Sequence, residues 1–137
     1  MAEKRLFELI MDIRRKCLRT EETIRGRLRL SPAEFNGLMS IEPGEKAATN
    51  YFAEQMELSP SRASRVISSL MNKGFMAQEQ QRDDRRRFNV FLTRRGEEMR
   101  ERIFTEMSEC EKKITDQLSE AEYLKIREAL ILLSKTM

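Results

Sequence analysis

At 137 residues, 39% hydrophobic and 36% charged, the chain is long enough for one domain with a real core, yet polar enough to need long solvated helices or an extensive charged surface. It has no histidine and only five scattered glycines, which excludes His-based nucleophile pairs, His-ligated zinc and Gly-rich phosphate loops, and with them most routes to an enzyme. Formal net charge is only +3, but residues 59–95 hold nine Lys or Arg against three acids, so that stretch is +6 and the remainder −3. A basic patch on a slightly acidic body points to a polyanionic partner.

No apolar run approaches the ~20 residues a membrane span requires. The first residues, Met1 to Lys16, mix charge and apolar side chains at helical spacing and lack the uninterrupted apolar core of a signal peptide. A cytoplasmic protein without membrane contact is expected. Cys17 and Cys110 show no metal-binding or redox spacing, so reduced thiols are expected and neither a metal nor another cofactor.

In chain order, residues 3–28 place Leu6, Leu9, Ile10, Ile13, Cys17, Ile24 and Leu28 on one stripe, which predicts a long amphipathic helix. Cys17 lies on that stripe, so it is expected to pack inside, as is Cys110. Ser31-Pro32-Ala33-Glu34 combines an N-cap, a proline at the first helical position and a capping-box glutamate, opening a helix of about ten residues. Glu42-Pro43-Gly44 ends it. A second short helix is expected over 49–56, burying Phe52, Ala53 and Met56. Ser59-Pro60 then starts a third after a tight connection, the pattern of a helix-turn-helix.

On that third helix Ala63, Val66, Ile67, Leu70 and Met71 share the inward face. The opposite arc carries Ser61, Arg62, Arg65, Ser68, Ser69 and Asn72, with no acid anywhere between Ser59 and Asn72. Hydroxyls, amides and arginines bond to base edges and phosphates, so this is the expected reading helix. Asn72-Lys73-Gly74 ends it with a left-handed glycine. Residues 75–80 and 88–92 read as two strands of a hairpin whose tip holds Arg82, Arg85, Arg86 and Arg87. Such a tip fits a minor groove and its phosphates, and Asp83 or Asp84 is expected to pair with a neighbouring arginine and brace the loop.

Thr93 is placed to cap a long helix up to about residue 115, and Ser119-Glu120-Ala121-Glu122 opens a last one. The first and last helices carry more apolar surface than a small winged module can bury, which predicts a dimer built from the two termini. The fold class expected is mainly α with a small β-hairpin wing: a winged helix-turn-helix lobe over about 31–95 within a single domain, 1–137, flanked by dimerisation helices at about 3–28 and 94–136.

Four stretches, Leu58-Ser59-Pro60-Ser61-Arg62-Ala63-Ser64-Arg65, Lys73-Gly74-Phe75, Asp84-Arg85-Arg86 and Leu92-Thr93-Arg94-Arg95-Gly96, occur in the order and spacing of a known signature. In them the chain resembles the MarR family of winged-helix transcriptional regulators. The resemblance implies an obligate homodimer that binds a pseudo-palindromic operator on double-stranded DNA near a promoter, and a repressor is the leading expectation. By the resemblance the reading helix would enter the major groove through Ser61, Arg62, Ser64 and Arg65, joined by Ser68 from the helix face, and the wing would reach the flanking minor groove, with Arg86 as its minor-groove or phosphate arginine and Asp84 as the structural partner. For many members it further implies release by a small aromatic or anionic effector, and for others oxidation of a cysteine on the first helix, the position of Cys17. Gln78 stands where the family commonly has arginine, and Arg62 where a small hydroxyl is usual. The competing expectation is a winged module that docks proteins without specific DNA binding, since fold does not fix function.

Overall fold

A computed structural model describes residues 2–137. The described residues form helices α1 (Leu6–Leu28), α2 (Pro32–Met39), α3 (Thr49–Gln55), α4 (Pro60–Asn72), α5 (Arg94–Thr115) and α6 (Glu120–Thr136), with strands β1 (Ala47–Ala48), β2 (Met76–Gln80) and β3 (Phe88–Leu92). The expected fold class, mainly α with a β-hairpin wing, is the one observed. The chain divides within α5 into two compact units, one ending at Ile103 and the other running over Phe104–Met137.

In the first unit, α1 opens three residues later than its apolar spacing suggests, where the Glu8 carboxylate accepts from the Arg5 amide at 2.7 Å. It buries only Ile24 and Leu28; Leu6, Leu9 and Ile13 are exposed, and so is Cys17, contrary to the expectation that this thiol packs inside. The helix closes on Arg29 in the left-handed region (φ 56), with Leu30 N–H donating to Arg25 O at 3.0 Å. α2 has the capping box read from its sequence: the Glu34 amide donates to Ser31 Oγ at 3.1 Å, and Glu34 Oε1 accepts from the Ser31 amide at 2.8 Å.

α3 and α4 are joined by a turn whose Glu57 is also left-handed (φ 56), with Leu58 N–H bonded to Ala53 O at 3.0 Å. The core of this unit collects Leu38, Ile41, Phe52, Ala63, Val66, Ile67, Leu70, Val90, Leu92 and Ile103. Contact between α2 and α4 is close: a Cβ on Gly37 would lie 2.8 Å from Leu70 Cδ1.

The sheet has the order β1-β3-β2 and is antiparallel throughout, with Met76 opposite Leu92 and Ala47 opposite Val90. β1 was not expected; two alanines carry no strand pattern of their own. Lys46, just before it, pairs with Glu79 of β2 at 2.8 Å and lies 5.7 Å from the centre of the Phe91 ring, holding the short strand to the hairpin.

Where the wing returns to α5, Thr93 Oγ1 donates to Gly74 O at 2.6 Å and accepts from the Gly96 amide at 3.1 Å. The helix start therefore sits against the Phe75 backbone, and a Cβ at Gly96 would lie 1.9 Å from Phe75 O. Only glycine fits that approach. Further along α5, the buried Arg100 donates to Leu38 O at 2.9 Å and pairs with Glu42 at 3.1 Å.

In the second unit, α6 has its own capping box, Glu122 N–H to Ser119 Oγ at 3.1 Å and Ser119 N–H to Glu122 Oε1 at 3.0 Å, and those bonds to Ser119 hold the Glu122 carboxyl below its ordinary range. Over its 17 residues α6 buries none. Among the described residues no helix is long and apolar enough to cross a membrane.

Candidate nucleic-acid interface

α4 begins with Pro60 at its first position and Ser59 as N-cap, whose hydroxyl accepts from the Arg62 amide at 3.3 Å. Its inward face, Ala63, Val66, Ile67 and Leu70, is buried against α2 and α3, which fixes what is left outside. Ser61, Arg62, Arg65 and Ser68 are exposed, as the helical spacing implied, and so is Ser64, named by the resemblance. Met71, expected on the inward face, is only half-buried.

Ser69 differs from the expectation that it belongs to the outward arc. It is half-buried and its hydroxyl donates to Glu34 Oε2 at 2.9 Å. Lys73, counted in the basic stretch, is likewise engaged inside the unit, donating to Glu34 Oε1 at 2.8 Å and to Arg29 O at 3.0 Å. Burial acts to raise the Glu34 carboxyl, yet the hydrogen bonds from Lys73, from the Ser31 amide and from the Ser69 hydroxyl outweigh it and hold the group below its ordinary range.

At the hairpin tip, Arg82, Arg85, Arg86 and Arg87 are exposed and Asp84 is half-buried. Asp84 Oδ1 accepts from the Arg86 amide at 2.9 Å, and Asp84 Oδ2 lies 3.7 Å from Arg87 Nε. The carboxylate thus holds the Arg86 backbone and reaches the Arg87 side chain, leaving the Arg86 guanidinium outside the brace. Gln81 N–H to Arg87 O at 2.9 Å and Gln81 Nε2 to Asn89 Oδ1 at 3.0 Å close the base of the loop. Among the described residues Arg62, Arg65, Arg82, Arg85 and Arg86 make no ion pair. Five guanidinium groups without an internal carboxylate leave this lobe with a positive field that an external polyanion can neutralise.

Between α4 and the hairpin lies a groove of about 460 Å³, bounded by Ser64, Ser68 and Asn72 on the helix, Gln78 and Phe88 on the strands, and Thr49 and Asn50 at the start of α3. Thr49 and Asn50 were not singled out in the sequence; their polar side chains become part of this surface only because α3 crosses α4. A helix with an acid-free exposed face, set on a second helix by a left-handed turn and flanked by an arginine-tipped hairpin, defines a winged helix-turn-helix protein.

The comparisons sharpen that class. Residues 30–88 match the model of the MarR family. A mutant of Staphylococcus aureus MepR superposes with a TM-score of 0.83 at 19% identity, covering 98% of this chain and 100% of that one. A mutant MarR from E. coli gives a TM-score of 0.83 at 19% identity over 97% of this chain and 98% of that one. A further MepR mutant, bound to an oligodeoxyribonucleotide, gives 0.71 at 20% identity over 98% and 100%. No curated protein matches the chain. Residues 30–88 are thus similar to the MarR family, and the chain as a whole has the winged-helix fold of these structures.

Proposed function

We propose that the chain is a sequence-specific DNA-binding repressor that acts as a homodimer on a pseudo-palindromic operator. α4 enters the major groove with Ser61, Arg62, Ser64, Arg65 and Ser68 toward the base edges, and the β2–β3 wing lays Arg86 into the flanking minor groove with Arg82, Arg85 and Arg87 along the phosphates. The observation that carries this reading is the set of five exposed arginines without an ion pair among the described residues, divided between the reading helix and the wing tip. The homodimer is supported by the apolar side chains that one chain leaves open, Leu6, Phe7, Leu9 and Ile13 on α1 and Leu124, Ile126, Leu130 and Ile131 on α6. Control by a small aromatic or anionic effector rests on the family likeness alone.

The test is a gel-shift titration of Arg65→Ala and Arg86→Ala against the protein's own promoter DNA. Each substitution is expected to weaken binding by about 1–3 kcal/mol while the dimer persists in sedimentation, and loss of Arg86 is expected to lower the salt slope by about one phosphate contact. Unchanged affinity in both variants contradicts the assignment. Wild-type protein that shows no salt-sensitive binding favours the protein-docking module instead.

A further inference from the structure

Beside its apolar contacts, the reading helix is tied to α2 by one buried carboxylate. Glu34 is 3% exposed, and both of its oxygens are in use: Oε1 accepts from the Ser31 amide and from Lys73 Nζ, each at 2.8 Å, and Oε2 accepts from Ser69 Oγ at 2.9 Å. Lys73 Nζ also donates to Arg29 O at 3.0 Å. Glu34 thereby joins the N-cap of α2 to the last turn and C-cap of α4, and Lys73 carries the link on to the C-cap of α1.

Ser69 follows Arg65 by four positions and Arg62 by seven, so the three residues share one stripe of α4. Any rotation of α4 that breaks the Ser69 bond therefore swings both arginines through the same angle. With side chains about 5–6 Å from the helix axis, ten degrees of rotation moves their tips by about 1 Å, enough to spoil a bidentate hydrogen bond. Ala63, Val66, Ile67 and Leu70, buried against α2 and α3, set which face of α4 turns inward. Apolar contact is non-directional, and the bonds of Glu34 to Ser69 and Lys73 add the directional restraint that fixes the remaining rotation at the end of the helix.

We propose that the clamp of Glu34 on Ser69 and Lys73 fixes the rotation of the reading helix, so that Glu34 and Ser69 are positioning residues for DNA recognition. This rests on the DNA-reading function proposed above. Neither residue contacts the DNA; each acts through the placement of Arg62 and Arg65.

The experiment compares the full-length protein with Ser69→Ala, Glu34→Gln, the double variant and Ser69→Thr, on selected operator and on random-sequence duplex over a range of salt. Each of the first two substitutions is expected to weaken operator binding about 5- to 20-fold, with random-duplex affinity and salt slope unchanged. The double variant should be no weaker than Glu34→Gln, and Ser69→Thr, which keeps the hydroxyl, should bind close to wild type. An operator-to-random ratio that stays at the wild-type value in both single variants overturns the clamp, and so does strict additivity in the double variant, which would mean that Ser69 touches DNA directly.

Amide exchange in the free protein provides an arm without DNA, and Ser69→Ala serves there even where Glu34→Gln fails to fold. Faster exchange confined to residues 60–72 is expected, and wild-type protection across that helix overturns the clamp. Wild-type protein with no operator preference overturns the DNA-reading function separately, and the clamp is then decided by the exchange result.

Discussion

The largest fully buried side chains, Phe52, Leu38, Ile41, Leu70, Ile103 and Val90, all lie in the unit that holds the winged lobe, whereas α6 buries none of its residues and exposes Leu124, Ile126, Leu130 and Ile131. Both regions carry apolar residues at helical spacing, so periodicity alone does not separate them. In the lobe, helices, hairpin and the short β1 strand cover one another; among the described residues the outer turns of α1 and most of α6 stay exposed. A stripe thus specifies a face to be covered and leaves open whether the cover comes from within or from a second copy.

The contrast is broken most severely inside the lobe. Gly96→Ala forces a Cβ to within 1.9 Å of Phe75 O, and because the obstacle is backbone it should cost about 3 kcal/mol or more in urea denaturation, beyond ordinary overpacking. Ile131→Asp on α6 is expected to act on the other side of the comparison. It should weaken association by about 2 kcal/mol or more, measured by sedimentation over a concentration series, while the helical signal of each chain persists.

Acid should act on the lobe through Glu34. Its carboxyl is held below its ordinary value of 4.5 in the folded chain. A depressed folded value means that the stabilisation is present above the unfolded carboxyl value and is lost as pH falls through the folded one. Denaturation midpoints taken at successively lower pH should therefore decline more for wild type than for Glu34→Gln, and parallel declines would assign the acid sensitivity elsewhere. The smallest effect is expected at the turn between α3 and α4. There Glu57→Gly should relieve a left-handed backbone and raise stability by about 0.5–1 kcal/mol, read as a shift in denaturation midpoint.

Most of the lobe was legible because its signals are local. Ser31-Pro32 and Ser59-Pro60 mark helix starts by their own chemistry, Gly74 marks an end by its backbone freedom, and alternation over Phe88, Val90 and Leu92 marks a strand. What was not legible depends on neighbours distant in sequence. Ser69 sits on the outward arc of a helical wheel, and only the position of Glu34 beside it turns that hydroxyl inward. Glu34 itself is fully explained locally as a capping glutamate, which conceals its bond to Lys73, 39 residues away. Ala47 and Ala48 become a strand because β3 offers them an edge, not because alanine prefers one. Cys17 illustrates the opposite error: the helix forms as its spacing indicated, but the thiol on its apolar stripe is exposed.

The proposed homodimeric reader is tested most directly by selecting binding sites from random duplex DNA with the purified protein and mapping the contacts of the recovered sequences. Two reading helices related by a twofold axis predict inverted half-sites whose centres lie about one helical turn apart, roughly 34 to 36 Å, each protected by one chain. Recovery of no preferred sequence, or of a single half-site occupied by one chain, would contradict it.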